Sequence, residues 1–163
     1  MRKAILSLLI FASFLTSFPL LAAKPDIRSL PPYEIAILLI KHYETLHKAR
    51  HYPTIGYGHV VQPGEPYRRG VQLTERQADA LLRKDLRKFV ALYNHLPKYK
   101  YLLGVLAYNI GPGAVRKSTV YKKLMRGDTN IYKEYTSYCH YKGKWHRQLN
   151  ERRRMEYRLL FNP

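Results

Sequence analysis

The chain has 163 residues, a formal charge of +18 from 29 lysines and arginines against 11 carboxylates, and a single cysteine. That length suits one domain with its own core rather than two, and one cysteine excludes an intramolecular disulfide and with it a disulfide-stapled scaffold. The charge excess points to polyanionic partners without choosing among them.

In chain order, Met1, Arg2 and Lys3 precede an uncharged apolar run over residues 4–23 that ends in Ala22 and Ala23. A basic start, apolar middle and small-residue end predict a secretory signal peptide, residues 1–23, removed after Ala23. The alternative is an uncleaved N-terminal membrane anchor, since an uncharged run of this length can span a bilayer. Residues 24–163 are then one domain. Residues 24–32 read as an extended lead-in, and Pro31 and Pro32 fit the first turn of a helix that starts near Tyr33 and runs to about Leu46. Residues 35–40 are apolar, and Glu44 lies four positions after Ile40 and seven after Ile37, so it borders the buried stripe. A carboxyl placed there loses part of its hydration, which suits a general acid.

Thr54, Ile55 and Tyr57 alternate with Gly56 and Gly58 ahead of His59. This is a strand-and-turn pattern in which missing side chains let a ligand or another backbone approach. Residues 60–71 carry Pro63, Gly64, Pro66 and Gly70 and read as a hairpin end and surface loop with Glu65 in solvent. Glu65 is still the nearest acid after Glu44, so it stays a candidate for a second carboxylate. Thr74 and Gln77 have capping-box spacing. A long helix follows, with Ala78, Leu81, Leu82, Leu86, Phe89, Val90 and Tyr93 on one apolar face. Residues 99–108 read as a buried helix closed by Asn109, Ile110, Gly111, Pro112 and Gly113. Ser118 caps a short helix reaching Arg126, Gly127 and Asp128 separate it from one reaching about Cys139, and residues 141–147 loop out before a final helix over 148–161. Cys139 reads as a buried structural thiol. No histidine, cysteine or carboxylate cluster has metal-ligand spacing, so no metal and no cofactor is expected. The 15 tyrosines suit an aromatic groove for sugar rings, although any one of them is more often core.

Together these segments resemble the phage-type lysozymes, glycoside hydrolase family 24. Glu44 with Leu46, the run from Thr54 to His59, the segment from Leu73 through Asp85 and Leu86, the run from Leu106 to Gly113, and Arg152, Arg153 and Glu156 carry the resemblance, in order, over about residues 33–160. It implies an α+β, mainly helical, lysozyme-like fold of two lobes. A small β-hairpin lobe and a larger helical lobe are joined by a long helix, with Asp85 on the polar side of that helix near the hairpin. It implies a peptidoglycan glycosidase that cleaves the β-1,4 bond between N-acetylmuramic acid and N-acetylglucosamine, and the signal segment makes it exported, periplasmic or secreted. Glu44 and Thr54 are its catalytic positions, and Tyr57, His59, Asn109, Arg152 and Arg153 bind or support. An arginine of the last helix pairs with the glutamate in that family; helical spacing puts Arg152, Glu156 and Leu159 on one side, which favours Arg152. Peptidoglycan is the expected partner of a monomer, with transient contact to acidic membrane surfaces or wall polymers. Nucleic acid is not expected, because the basic residues are spread along the chain.

One departure stands out. The family keeps an aspartate between the glutamate and the threonine, and residues 45–53 contain no acid. Three readings stay open: hydrolysis with the Thr54 hydroxyl holding the water; lytic transglycosylation by Glu44 alone, since the run from Ala107 to Gly113 also resembles soluble lytic transglycosylases; and a wall-binding protein that kept the fold and lost the chemistry.

Overall fold

Helix α1 (Pro32–Glu44) begins with proline in its first turn, where the missing N–H is no loss. It buries Ile35, Ala36, Ile37, Leu39 and Ile40. It stops two residues earlier than expected, because Thr45 takes φ 51° while its N–H still donates to the Lys41 carbonyl. Glu44 is therefore the last helical residue, at the point where the chain turns away. The computed structural model describes residues 26–161; the expected signal segment lies outside them.

A short 3-10 turn, Ala49–His51, leads into strands β1 (Thr54–Ile55) and β2 (His59–Val60), which pair antiparallel with Thr54 opposite Val60 and Ile55 opposite His59. Gly56 (φ 57°) and Gly58 (φ 100°) make the reversal possible. The His47 N–H donates to the Gly56 carbonyl at 2.8 Å and ties the chain leaving α1 to this hairpin.

Helix α2 (Glu75–Ala91) opens on the expected capping box, Thr74 accepting from the Gln77 N–H and Gln77 reaching back to the Thr74 N–H. Its first turns lie under the hairpin, with Ala78 against Gly56. Its far half packs on α3 (Lys100–Ile110), where Gly104 lets the two helices close on Val90. One helix thus serves both lobes. In α3, Leu102, Leu103, Val105, Leu106 and Ala107 are fully buried, and α1, α2 and α7 pack around it. An ion network joins α1 to α2: Arg83 grips Glu34 with two bonds of 2.7 and 2.8 Å and Asp79 at 2.7 Å, and Lys41 reaches Asp79 at 3.0 Å.

Helices α4 (Pro112–Lys117), α5 (Thr119–Met125) and α6 (Tyr132–Thr136) complete the larger lobe. Ser118 caps α5 by accepting from the Tyr121 N–H. Helix α6 is shorter than expected, since Asp128 accepts from the Asn130 N–H and holds a turn where a helix was expected to start. Residues 141–147 were expected to be a loop; instead His140–Tyr141 (β3) and Lys144–Trp145 (β4) form a second hairpin. Lys142 (φ 50°) and Gly143 (φ 76°) supply its two-residue turn. Helix α7 (Arg147–Leu160) closes the domain. The architecture is α+β and mainly helical, as the sequence predicts.

Candidate active site

Glu44 ends α1 with its side chain about one-fifth exposed. Arg152, from α7, donates from Nη1 to Glu44 Oε1 at 2.7 Å, across 108 residues of chain. The same guanidinium donates from Nε to Glu156 Oε1 at 2.9 Å, one helical turn on. Of the two arginines it is Arg152 that reaches Glu44. Arg153 faces elsewhere, donating from Nη2 to Asn109 Oδ1 at 2.9 Å. Its Nη1 lies 2.9 Å from Glu156 Oε2 but off the hydrogen-bond line, so that contact is ionic rather than a directed bond. Tyr135 donates to the same Glu156 oxygen at 2.8 Å.

Two carboxylates and two guanidiniums thus balance in one cluster, with Arg152, Arg153 and Glu156 essentially without solvent. Burial opposes the charge on Arg152, but Glu156 and Glu44 outweigh it and hold the guanidinium above the usual arginine range. Its other face lies over the Tyr43 ring, 5.5 Å from the centroid. The cluster fixes one oxygen of Glu44, and the other has no hydrogen-bond partner among the described residues.

That second oxygen, Oε2, faces the hairpin. A Cβ placed on Gly58 would stand 3.5 Å from Glu44 Oε2 and 3.4 Å from Tyr108 Cε1. A side chain at 58 would thus lie in ordinary contact with both, and it is the positive φ of 100° that favours glycine there. Tyr108 donates to the Tyr57 carbonyl at 2.8 Å and pins the turn to α3. Burial first, then the Asp85 and Glu44 carboxylates, pushes the Tyr108 hydroxyl well above its usual range, so it stays a donor. Tyr57 itself is buried, with the Lys41 ammonium 5.1 Å from its ring centroid.

His59 is buried between two carboxylates. Nδ1 lies 2.5 Å from Asp85 Oδ2 and Nε2 lies 2.7 Å from Glu65 Oε2. Glu65, expected in solvent, also accepts from the Gln62 N–H at 2.8 Å, and this backbone bond, with His59, holds its carboxyl below the usual range. Asp85, on α2, is buried and carries Lys88 at 3.2 Å. The hairpin is thus clamped to α2 beside a cleft of about 310 Å3 lined by Gly58, His59, Glu65, Asp85, Lys88 and Tyr108. Thr54 stands at the open end of the hairpin, half-buried. Among the described residues its hydroxyl has no hydrogen-bond partner in the protein. His47, three positions past Glu44, packs edge-on against His51 at 5.1 Å and has a buried Nδ1 without a partner. Burial, then His51, lowers its pKa, with Glu44 opposing. Two wider grooves, of about 590 and 820 Å3, run along α1 and α7 and meet the cluster only through Tyr43.

The structure therefore joins Glu44, Arg152, Arg153 and Asn109 in one network and joins His59 and Tyr57 to it through the hairpin. The roles of Glu65 and Glu156 in these networks are not readable from local pattern. Glu156 lies one turn past Arg152 in the segment that carries the resemblance, and only that spacing hints at a pair.

A sequence profile of the phage lysozyme family, described as "Phage lysozyme", matches residues 41–156. The endolysin of Bacillus phage PZA is 33% identical over 132 residues, which cover 77% of this chain and 49% of the relative. The endolysin of Bacillus phage B103 is 32% identical over 142 residues, covering 78% and 52%. The chain thus spans about half the length of these curated relatives. Among solved structures, the muramidase domain of SpmX from Asticaccaulis excentricus superimposes with a TM-score of 0.66 at 28% identity, covering 78% of this chain and 95% of that one. The endolysin from Escherichia coli O157:H7 phage FAHEc1 gives 0.63 at 29% identity, covering 78% and 90%. The fold is lysozyme-like.

Proposed function

Because this chain belongs to the phage lysozyme family, we propose that it is a peptidoglycan glycosidase that cleaves the β-1,4 bond between N-acetylmuramic acid and N-acetylglucosamine, with Glu44 as general acid. The observation that carries this reading is the state of Glu44: one oxygen held by Arg152 at 2.7 Å and the other turned to the glycine hairpin. A carboxyl held at one oxygen is oriented at the other, which is what protonation of a leaving glycosidic oxygen requires. Arg152 positions the acid and does not touch the sugar. Thr54 holds the attacking water on this reading, its hydroxyl having donor and acceptor capacity to spare. A hydroxyl is a poor base, so turnover is slow. Release of reducing ends from purified peptidoglycan by the wild type, and its loss in Glu44→Gln, tests the proposal; equal release by both ends it.

The acid-free interval 45–53 favours a second reading of the same site, lytic transglycosylation. Here the muramic acid 6-hydroxyl attacks the anomeric carbon as Glu44 protonates the departing oxygen, and the 6-hydroxyl proton passes to the glutamate, so no water is consumed. Fragment masses separate the two: an anhydro end is one water lighter than a reducing end. Export to the periplasm or beyond, and action as a monomer, belong to the same proposal.

A further inference from the structure

The β3–β4 hairpin lines none of the three clefts described above and takes no part in the Glu44 cluster. Every residue from 140 to 148 is exposed, including Tyr141 at 61% and Trp145 at 57%. Register places His140 opposite Trp145 and Tyr141 opposite Lys144, so one face of the ribbon carries Trp145 with His140 and the other Tyr141 with Lys144. Lys142, in the turn, lies with its ammonium 5.5 Å from the Tyr141 centroid. No carboxylate occurs in the sequence between Glu134 and Glu151. Among the described residues the only ion pair at this end is Arg147 with Glu151, 2.8 Å apart and both exposed.

Two large rings held in water amid uncompensated cations call for a partner that is apolar in part and negatively charged. Two classes of polyanion fit the charge, and the geometry separates them. A sugar ring stacks on an aromatic platform within a groove, whereas Tyr141 and Trp145 sit on opposite faces of a thin ribbon with no wall beside either. A lipid headgroup layer can surround such a ribbon and receive both rings at once, since tyrosine and tryptophan favour the membrane–water boundary. Lysines flanking the rings then extend to phosphates. We infer that the β3–β4 hairpin docks this protein on an anionic lipid surface. Helix α7 starts directly after the hairpin, and Arg152 lies six residues past His146, about 9 Å along the helix axis. The inference holds whether or not the Glu44 site cuts glycan.

Trp145 is the only tryptophan in the sequence, so its emission reports the hairpin locally, whatever residues 1–25 contribute to binding. The experiment titrates the full chain with vesicles of phosphatidylcholine, with vesicles containing an equal part of phosphatidylglycerol, and with purified peptidoglycan sacculi. The expected result is a shift of Trp145 emission to shorter wavelength, with protection from aqueous quencher, on the anionic vesicles alone. Lys142→Ala with Lys144→Ala should then need about 30-fold more anionic lipid for the same shift, at about 1 kcal/mol per lysine, with the melting temperature unchanged. Unaltered emission on anionic vesicles, an equal shift on zwitterionic ones, a shift only with sacculi, or a double variant that titrates like wild type would each overturn the inference.

Discussion

Replacing Arg152 with alanine removes the one group among the described residues that touches both Glu44 and Glu156. Deleting one partner of a buried ion pair costs about 3–5 kcal/mol, most of it from the charge left behind. Glu156 keeps the Tyr135 hydroxyl and the Arg153 charge, and Glu44 is exposed enough for water to take over part of the role of Arg152. The expected loss therefore sits near the low end, about 3 kcal/mol. With a urea slope of about 2 kcal/mol/M, the midpoint moves down by about 1.5 M. Arg152→Lys restores the charge but not the fork that serves two carboxylates, so it recovers only part of the loss. The elevated pKa of Arg152 fixes the sign with pH: its stabilisation is complete below the ordinary arginine value and is lost only as pH rises through the still higher folded value. Titration of Arg152 itself thus adds no pH dependence to the deficit from neutrality to about pH 9. Arg153→Ala should destabilise as well, yet leave the Glu44 contact and hence more of the proposed glycosidase activity. Urea titrations followed by circular dichroism, with activity on the same samples, provide the readout. An Arg152→Ala protein with wild-type midpoint and wild-type activity would refute the reasoning.

Gly58→Ala must hold a φ of 100° beside the Glu44 carboxylate, so it should cost about 1–3 kcal/mol and, by shifting the turn against Glu44, depress activity further than stability alone explains, measured by melting and reducing-end release. Gly104→Ala places a Cβ 2.7 Å from Val90 Cγ2; parting α2 and α3 should cost about 1–3 kcal/mol with little change in activity per folded molecule, checked by the same pair of assays. Glu34 and Asp79 are both held below the usual carboxylate range, Glu34 by the Arg83 fork and Asp79 by Arg83 and Lys41 against the opposing effect of burial. Their contribution is present above the unfolded-state values near 4 and lost as pH falls through the lower folded ones. At this exposure it amounts to about 1 kcal/mol, and Arg83→Ala should flatten the urea midpoint against pH in that acid window. His47 has a depressed pKa from burial and His51, so its neutral form stabilises the fold above the ordinary histidine value and that share is lost as pH falls through the lower folded value; His47→Gln should reduce the fall in midpoint between about pH 7 and about pH 5.

Legibility of the sequence followed the range of the interactions involved. Helix α2 was readable because its cap and apolar face are local, Thr74 to Gln77 and then steps of three and four. Helix α1 was readable except for its end, which a single positive φ at Thr45 decides, and threonine carries no signal for that conformation. The second hairpin escaped because its strands are two residues each and its turn is Lys142-Gly143 rather than a strong turn pair. At the site, chemistry could be assigned to residue types by resemblance, but pairing required three dimensions. Glu65 read as solvent-exposed among breakers, and nothing local shows that the Gln62 N–H and His59 take hold of it. The choice between Arg152 and Arg153 hinges on the rotation of α7 against α1, which the chain between two residues 108 positions apart sets.

That separation also has a meaning in time. A chain made from its N-terminus presents Glu44 long before Arg152, which follows 108 positions later. Until the last helix is released and seats against the first, the carboxylate has no guanidinium beside it and the oxygen facing the hairpin is not yet aimed. On the proposed activity, chains in which α7 has not yet been made or seated are harmless to the wall of the cell that makes them, and competence arrives in a single step when that helix docks.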